Sequence, residues 1–175
     1  VGESTLNLAK LNPQAKVVGV DKSIARLDKH HSYQANDTFA SDDENYSDGN
    51  AELNNYLLVQ ADLNDFWRLL ATHLATQHPK WQLIKQTIYY PNPYPKKSQL
   101  GKRWHASAIM PFVVDVCKNI EVRSNWHLYL QEFLSAAEFY GLNGTIEAVN
   151  EKPITPFERK YQDAGQTCFR LAIRP

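Results

Sequence analysis

LLVQADLNDFWRLLATHLA, residues 57–75, is the stretch on which the fold turns. Its first third is an apolar run closing on an acid, Asp62. Beyond it, Asn64 or Asp65 can cap a helix whose Phe66, Leu69, Leu70, His73 and Leu74 form one face. A strand followed at once by an amphipathic helix is one βα unit, and the same plan stands upstream. KVVGVD (16–21) is a β-branched run ending at Asp21, with SIARLDKHH (23–31) as its helix. STLNLAKLNP (4–13) has helical spacing before them and stops at a proline. Downstream, WQLIKQTIYY (81–90) reads as a third strand and NIEVRS (119–124) as a fourth. Between these two, SAIMPFVVDVC (107–117) reads as a helix or a helix-strand mixture. NWHLYLQEFLSAAEFYG (125–141) is an amphipathic helix closed by Gly141, and GTIEAVN (144–150) and QTCFRLAIR (166–174) are late strands. Alternating strands and helices predict an α/β chain, a Rossmann-like doubly wound sheet that is mostly parallel with a late antiparallel strand.

Composition narrows the class. With 175 residues, 43% of them hydrophobic, the chain can bury one good core, and a single domain over 1–175 is expected. No apolar run approaches the length of a membrane span, so no membrane partner and a cytoplasmic location are expected. Cys117 and Cys168 lack any ligand spacing, and His30-His31 has no Asp, Glu or Cys partner at ligand spacing; no metal is expected. The charges cancel overall, but residues 1–90 carry 8 Lys/Arg against 11 Asp/Glu and residues 91–175 carry 11 against 8. Six carboxylates and no cation in 36–52 predict an acidic mobile surface loop.

Ligands of such sheets bind outside the carboxyl ends of the strands. Three features are placed there: Asp21, Asp62 and PNPYPKKSQLGKRWH (91–105), where three prolines precede four cations and no anion. A strand-end acid suits a ribose diol, because one carboxylate accepts two hydroxyl hydrogen bonds; it also suits a plain helix cap. The basic stretch suits a polyanion, or it is a rigid turn followed by a solvated face. His105, His127, Trp104 and Trp126 read as half-buried packing before they read as stacking platforms. VGESTLNLA (1–9) reads as the end of a glycine-rich turn entering a helix whose N–H groups can hold a ligand. The strand that such a turn would follow, the first central strand of the sheet, is expected to lie outside this chain.

Taken in order, G-E-S-x-x-x-x-A, V-V-G-V-D, A-D-L, P-N-P-Y-P-K-K-x-x-x-x-K-R, S-N-W-x-x-Y and T-P-F-E-R-K-Y-x-x-x-G resemble the bacterial tRNA (guanine-N7)-methyltransferase family over essentially the whole chain. The Pro-rich basic motif and TPFERKY are the most specific pieces. The resemblance implies an S-adenosylmethionine-dependent methyltransferase sheet and methylation of a guanine N7 in tRNA or another structured RNA. It implies a cofactor site from Gly2, Ser4, Asp21, Asp62, Leu63 and Pro91, with Asp21 on the ribose and Asp62 and Leu63 at the adenine. On the substrate side it implies Tyr94, Asn125, Tyr129, Thr155 and Phe157, with Lys96, Lys97, Lys102 and Arg103 facing phosphates. Asn92 and Glu158 take the catalytic positions.

Two departures bear on the chemistry. Where the family carries Asp, this chain has Asn92 and Asn125, and Tyr94, Ser98, Gln99 and Gly101 also stand at positions usually filled otherwise. Guanine N7 has an in-plane lone pair, so no general base is required and alignment is the main task. Methylation places positive charge on the purine, however, and exchanging a nearby carboxylate for an amide costs on the order of a few kcal/mol of stabilisation. Glu158 is the residue placed to compensate. Two alternatives follow: a methyltransferase-like RNA-binding or regulatory protein without transfer, and an enzyme acting on another base, since Asn-Pro-aromatic resembles the motif of amino-methylating enzymes.

Overall fold

The computed structural model describes residues 2–27, 55–77 and 81–175. The acidic stretch 36–52 and His30-His31 lie outside the described residues. Two compact units divide the chain, residues 1–63 and 64–175.

In the first unit, α1 (Gly2–Leu11), β1 (Val17–Asp21), the short α2 (Ile24–Leu27) and β2 (Tyr56–Gln60) follow in order. The strands pair in parallel, from Val17 opposite Tyr56 to Asp21 opposite Gln60. Helix α1 presses so closely on β1 that a Cβ at Gly19 would lie 2.0 Å from Thr5 Oγ1. No side chain other than hydrogen fits there without displacement. The helix end is fastened by Asn55, whose Nδ2 donates to the carbonyls of Ala9, Asn12 and Ala15 at 3.0–3.1 Å.

Helix α3 (Leu63–Gln77) leads into the second unit, which holds β3 (Gln86–Tyr89), α4 (Met110–Val116), β4 (Ile120–Ser124), α5 (His127–Phe139), β5 (Asn143–Ala148), α6 (Pro156–Asp163) and β6 (Phe169–Arg174). Two short 3-10 turns, Lys97–Lys102 and Trp104–Ala106, follow β3. The sheet order is β3-β4-β6-β5, with β3 and β4 parallel and β6 antiparallel to both its neighbours. Ile88, Ile120, Val122, Leu171 and Ile173 pack with Tyr129, Leu130, Phe133 and Ala137 of α5 as the core. A parallel pair and a mixed sheet with one late antiparallel strand, β6, fit the Rossmann-like class expected from the periodicity.

Two elements differ from expectation. Strand β3 covers only the last part of 81–90, because the carbonyls of Leu83 and Ile84 are taken by Cys117 Sγ and Asn119 Nδ2 rather than by a ladder. Helix α3 buries Trp67 and Ala71, while Leu69 is 70% exposed. The indole decides this rotation: Trp67 Nε1 donates to Gln86 Oε1 at 3.1 Å and its ring meets Trp104 edge-on at 5.0 Å.

Candidate active site and nucleic-acid interface

The carboxyl ends of β1 and β2 carry the first group of candidates. Asp21 is buried and its carboxylate accepts the Ser23 N–H at 2.8 Å, while its carbonyl accepts from Ala61 N–H at 3.2 Å. Asp62 is exposed and Leu63 half-buried. Gly2 and Ser4 are buried in the first turn of α1, the end of a helix that favours negative charge. Since Thr5 touches the Gly19 backbone, this turn lies beside β1 two residues before Asp21. A strand-end carboxylate next to a helix N-terminus is an acceptor and donor set that fits a nucleoside cofactor with a ribose diol and a carboxylate tail. The fit concerns Gly2, Ser4, Asp21, Asp62 and Leu63, all in the first unit.

In the second unit the Pro-rich loop leaves β3 between two left-handed tyrosines, Tyr90 at φ 48° and Tyr94 at φ 43°. Such φ values cost a non-glycine residue on the order of 1 kcal/mol or more and persist only where the surroundings fix them. Here Tyr90 N–H donates to the Arg123 carbonyl at 2.8 Å, and Asn92 Oδ1 accepts the Tyr94 N–H at 3.1 Å in an Asx turn. Pro91 and Tyr94 are half-buried, and Lys96, Lys97 and Lys102 are exposed.

Arg103 corrects the sequence reading. Only 3% exposed, its guanidinium donates to the carbonyls of Pro93 (2.9 Å) and Tyr94 (3.1 Å), pairs with Glu132, and lies 4.9 Å over the Trp126 ring. A guanidinium spent on two loop carbonyls and a carboxylate anchors the loop and does not face a phosphate. Tyr129 is likewise fully buried, its hydroxyl accepting the Trp104 N–H at 3.4 Å and pushed well above its ordinary pKa by burial. It is core, not substrate surface.

The TPFE segment begins α6. Thr155 Oγ1 accepts the Glu158 N–H at 2.9 Å, an N-cap with Pro156 in the first turn. Glu158 is 0% exposed; Oε1 takes Arg123 Nη1 at 3.0 Å and Oε2 accepts the Ile154 N–H at 2.7 Å. With both oxygens engaged, Glu158 is not placed to meet a base, contrary to the compensating role assigned to it. Asn92, by its Asx turn, and Asn125, whose Nδ2 donates to Gln166 Oε1 at 2.9 Å, also hold their own chain. Phe157, 46% exposed, stacks on Tyr90 at 6.4 Å, and Tyr161 lies 5.6 Å from the same ring. Burial, with the Cys168 thiol and the Glu158 carboxylate nearby, pushes the Tyr90 hydroxyl far up.

Sequence reasoning missed Arg123, Glu121, Lys85, Glu132 and Tyr90. The signal for the first two was present in I-E-V-R-S, whose alternation sends Glu121 and Arg123 to the face opposite Ile120 and Val122. Burial works against the Glu121 carboxylate, but Lys85 Nζ at 2.6 Å and Arg123 Nε at 2.7 Å outweigh it and hold its pKa below the ordinary value. No described helix is long and apolar enough to cross a membrane. A family model described as "Putative methyltransferase" (Methyltransf_4) matches residues 1–171. A search of curated proteins found no match.

Proposed function

The chain belongs to this methyltransferase family, the family of the tRNA (guanine-N7)-methyltransferase, and from that premise we propose that it transfers a methyl group from S-adenosylmethionine to guanine N7 in tRNA. One observation carries the nucleic-acid half: Lys96, Lys97 and Lys102 stand exposed on a loop whose fourth cation, Arg103, is buried as its anchor. Three exposed ammonium groups on an internally fastened loop suit a phosphate backbone, which offers repeated charge and little else to position against. The cofactor would supply an electrophilic methyl on a sulfonium. Asp21 would accept from its ribose hydroxyls, and Gly2 and Ser4 would line its tail. Because N7 carries its own lone pair, the protein removes no proton in this reading; Tyr90, Phe157 and the Pro91–Pro95 loop would hold the base flat and exclude water. The test is incubation with labelled S-adenosylmethionine and unmodified tRNA, followed by mapping of the label. Label at guanine N7 is the expected result, and label at the exocyclic amine of adenine or cytosine would move the substrate to another base.

A second reading, an RNA-binding protein of methyltransferase fold that does not transfer, is favoured by a specific observation. Asn92, Asn125 and Glu158 each direct a polar atom to a partner within the chain. Binding of tRNA without any incorporated label would decide for it.

A further inference from the structure

Arg123 joins three segments that the sequence keeps apart. Its side chain, 4% exposed, donates from Nε to Glu121 Oε1 at 2.7 Å and from Nη1 to Glu158 Oε1 at 3.0 Å, with Nη2 3.9 Å from Glu151 Oε2. Its carbonyl accepts the N–H of Tyr90, the residue that opens the Pro-rich loop. Glu158 passes the restraint on, since its second oxygen takes the Ile154 N–H and its own N–H is held by Thr155. Glu121 is fixed from behind by Lys85 and by the Tyr89 hydroxyl at 3.2 Å. The guanidinium thus ties the Thr155–Glu158 turn to β4, while the backbone of the same residue ties down the loop that faces it. Between them Phe157 meets Tyr90.

We infer that Arg123 is a positioning residue for the base-binding pocket: it sets the Thr155–Glu158 turn, and with it the exposed ring of Phe157, against Tyr90. The inference rests on the reading that this site receives a purine of an RNA. A buried ion pair adds little net stability over well-packed apolar side chains of the same volume. What it adds here is direction: a fork that can reach Glu121 and Glu158 at once. Glu158 then acts through Arg123 and the turn, and does not touch the substrate.

The discriminating variant is Arg123→Met with Glu158→Gln, which removes both charges, leaves Glu121 paired with Lys85 and lets Gln accept from Ile154 N–H. We expect a thermal midpoint close to that of the parent, amide exchange in residues 153–163 faster by about tenfold, and tRNA binding weaker by about tenfold. Affinity for S-adenosylmethionine should not change. Unaltered exchange in 153–163, or unaltered tRNA affinity, would overturn the inference. If the double variant does not fold, Arg123→Lys serves: it keeps the charge but gathers its donors on one nitrogen and loses the planar fork that spans Glu121 and Glu158, and parental behaviour in both measurements would equally refute the role. Exchange and binding are read without methyl transfer, so an inactive parent would count against the proposed reaction without touching the role of Arg123.

Discussion

Arg103 and Lys97 carry the same charge six residues apart, and their surroundings assign them opposite tasks. Arg103 serves two carbonyls and Glu132 with one planar fork, a geometry that an ammonium cannot reproduce. Arg103→Lys is therefore expected to lower stability by about 2–3 kcal/mol in urea unfolding, although the charge is kept. Lys97 is exposed, so Lys97→Ala should leave the unfolding midpoint within about 0.5 kcal/mol while reducing the salt slope of tRNA binding by about one. From the sequence the two are indistinguishable members of K-K-x-x-x-x-K-R, because nothing local to Arg103 announces a partner on α5. Asn92 allows a cleaner test of charge. Its Oδ1 holds Tyr94 N–H, and an aspartate oxygen can make the same bond. Asn92→Asp should thus preserve the Asx turn and the stability, and raise methyl transfer on the order of 100-fold if the absent carboxylate is what limits the rate. A single-turnover rate equal to the parent's would remove the missing charge as an explanation.

Elements were legible where periodicity alone defines them. The runs ending at Asp21, Asp62, Ser124 and Arg174 form strands or adjoin strand ends, and Gly141, at φ 74°, follows the end of α5 as a C-terminal glycine should. What periodicity could not rank was the relative pull of neighbouring apolar faces: in α3 a single indole with a hydrogen-bond partner on β3 turned the helix away from Leu69. Nor could it show how closely α1 approaches β1. That approach leads to a prediction at this scale. A methyl group at residue 19 would press on Thr5 Oγ1 and, at 3.0 Å, on Leu58 Cδ2, so Gly19→Ala must push α1 outward. The expected cost is about 1–3 kcal/mol. Because α1 and Asp21 flank the same strand end, calorimetric affinity for S-adenosylmethionine should fall in this variant. Unweakened cofactor binding would show that the first turn of α1 takes no part in the site.

Over the molecule as a whole, the fold follows from local pattern but the site depends on pairings that cross long stretches of chain. Arg123 meets Glu158 across 35 residues, and Glu132 reaches back 29 to Arg103 and 27 to His105. No spacing rule links such partners. Their charges also decide how the second unit responds to acid. His105, its side chain 6% exposed, contacts Glu132 through Nε2 at 3.2 Å, packs edge-on to Tyr129 and Phe133, and has a buried Nδ1 without a partner among the described residues. Burial depresses its pKa below the ordinary 6.5; Glu132 opposes that shift and Arg103 adds to it. The unfolded chain therefore takes up this proton first. Stability is complete above about pH 6.5 and declines as the pH falls toward the folded value, by at most about 1.4 kcal/mol per pH unit from one such group. Glu121, whose pKa is lowered, acts in a separate window: its contribution is present above 4.5 and is lost below it. His105→Gln keeps an N–H for Glu132 but has nothing to protonate, so urea unfolding at pH 7, 6 and 5 should give a flatter line for the variant than for the parent. Equal slopes would mean that the acid response between pH 6.5 and 5 originates elsewhere, and that the folded protein protonates His105 as readily as the unfolded chain does.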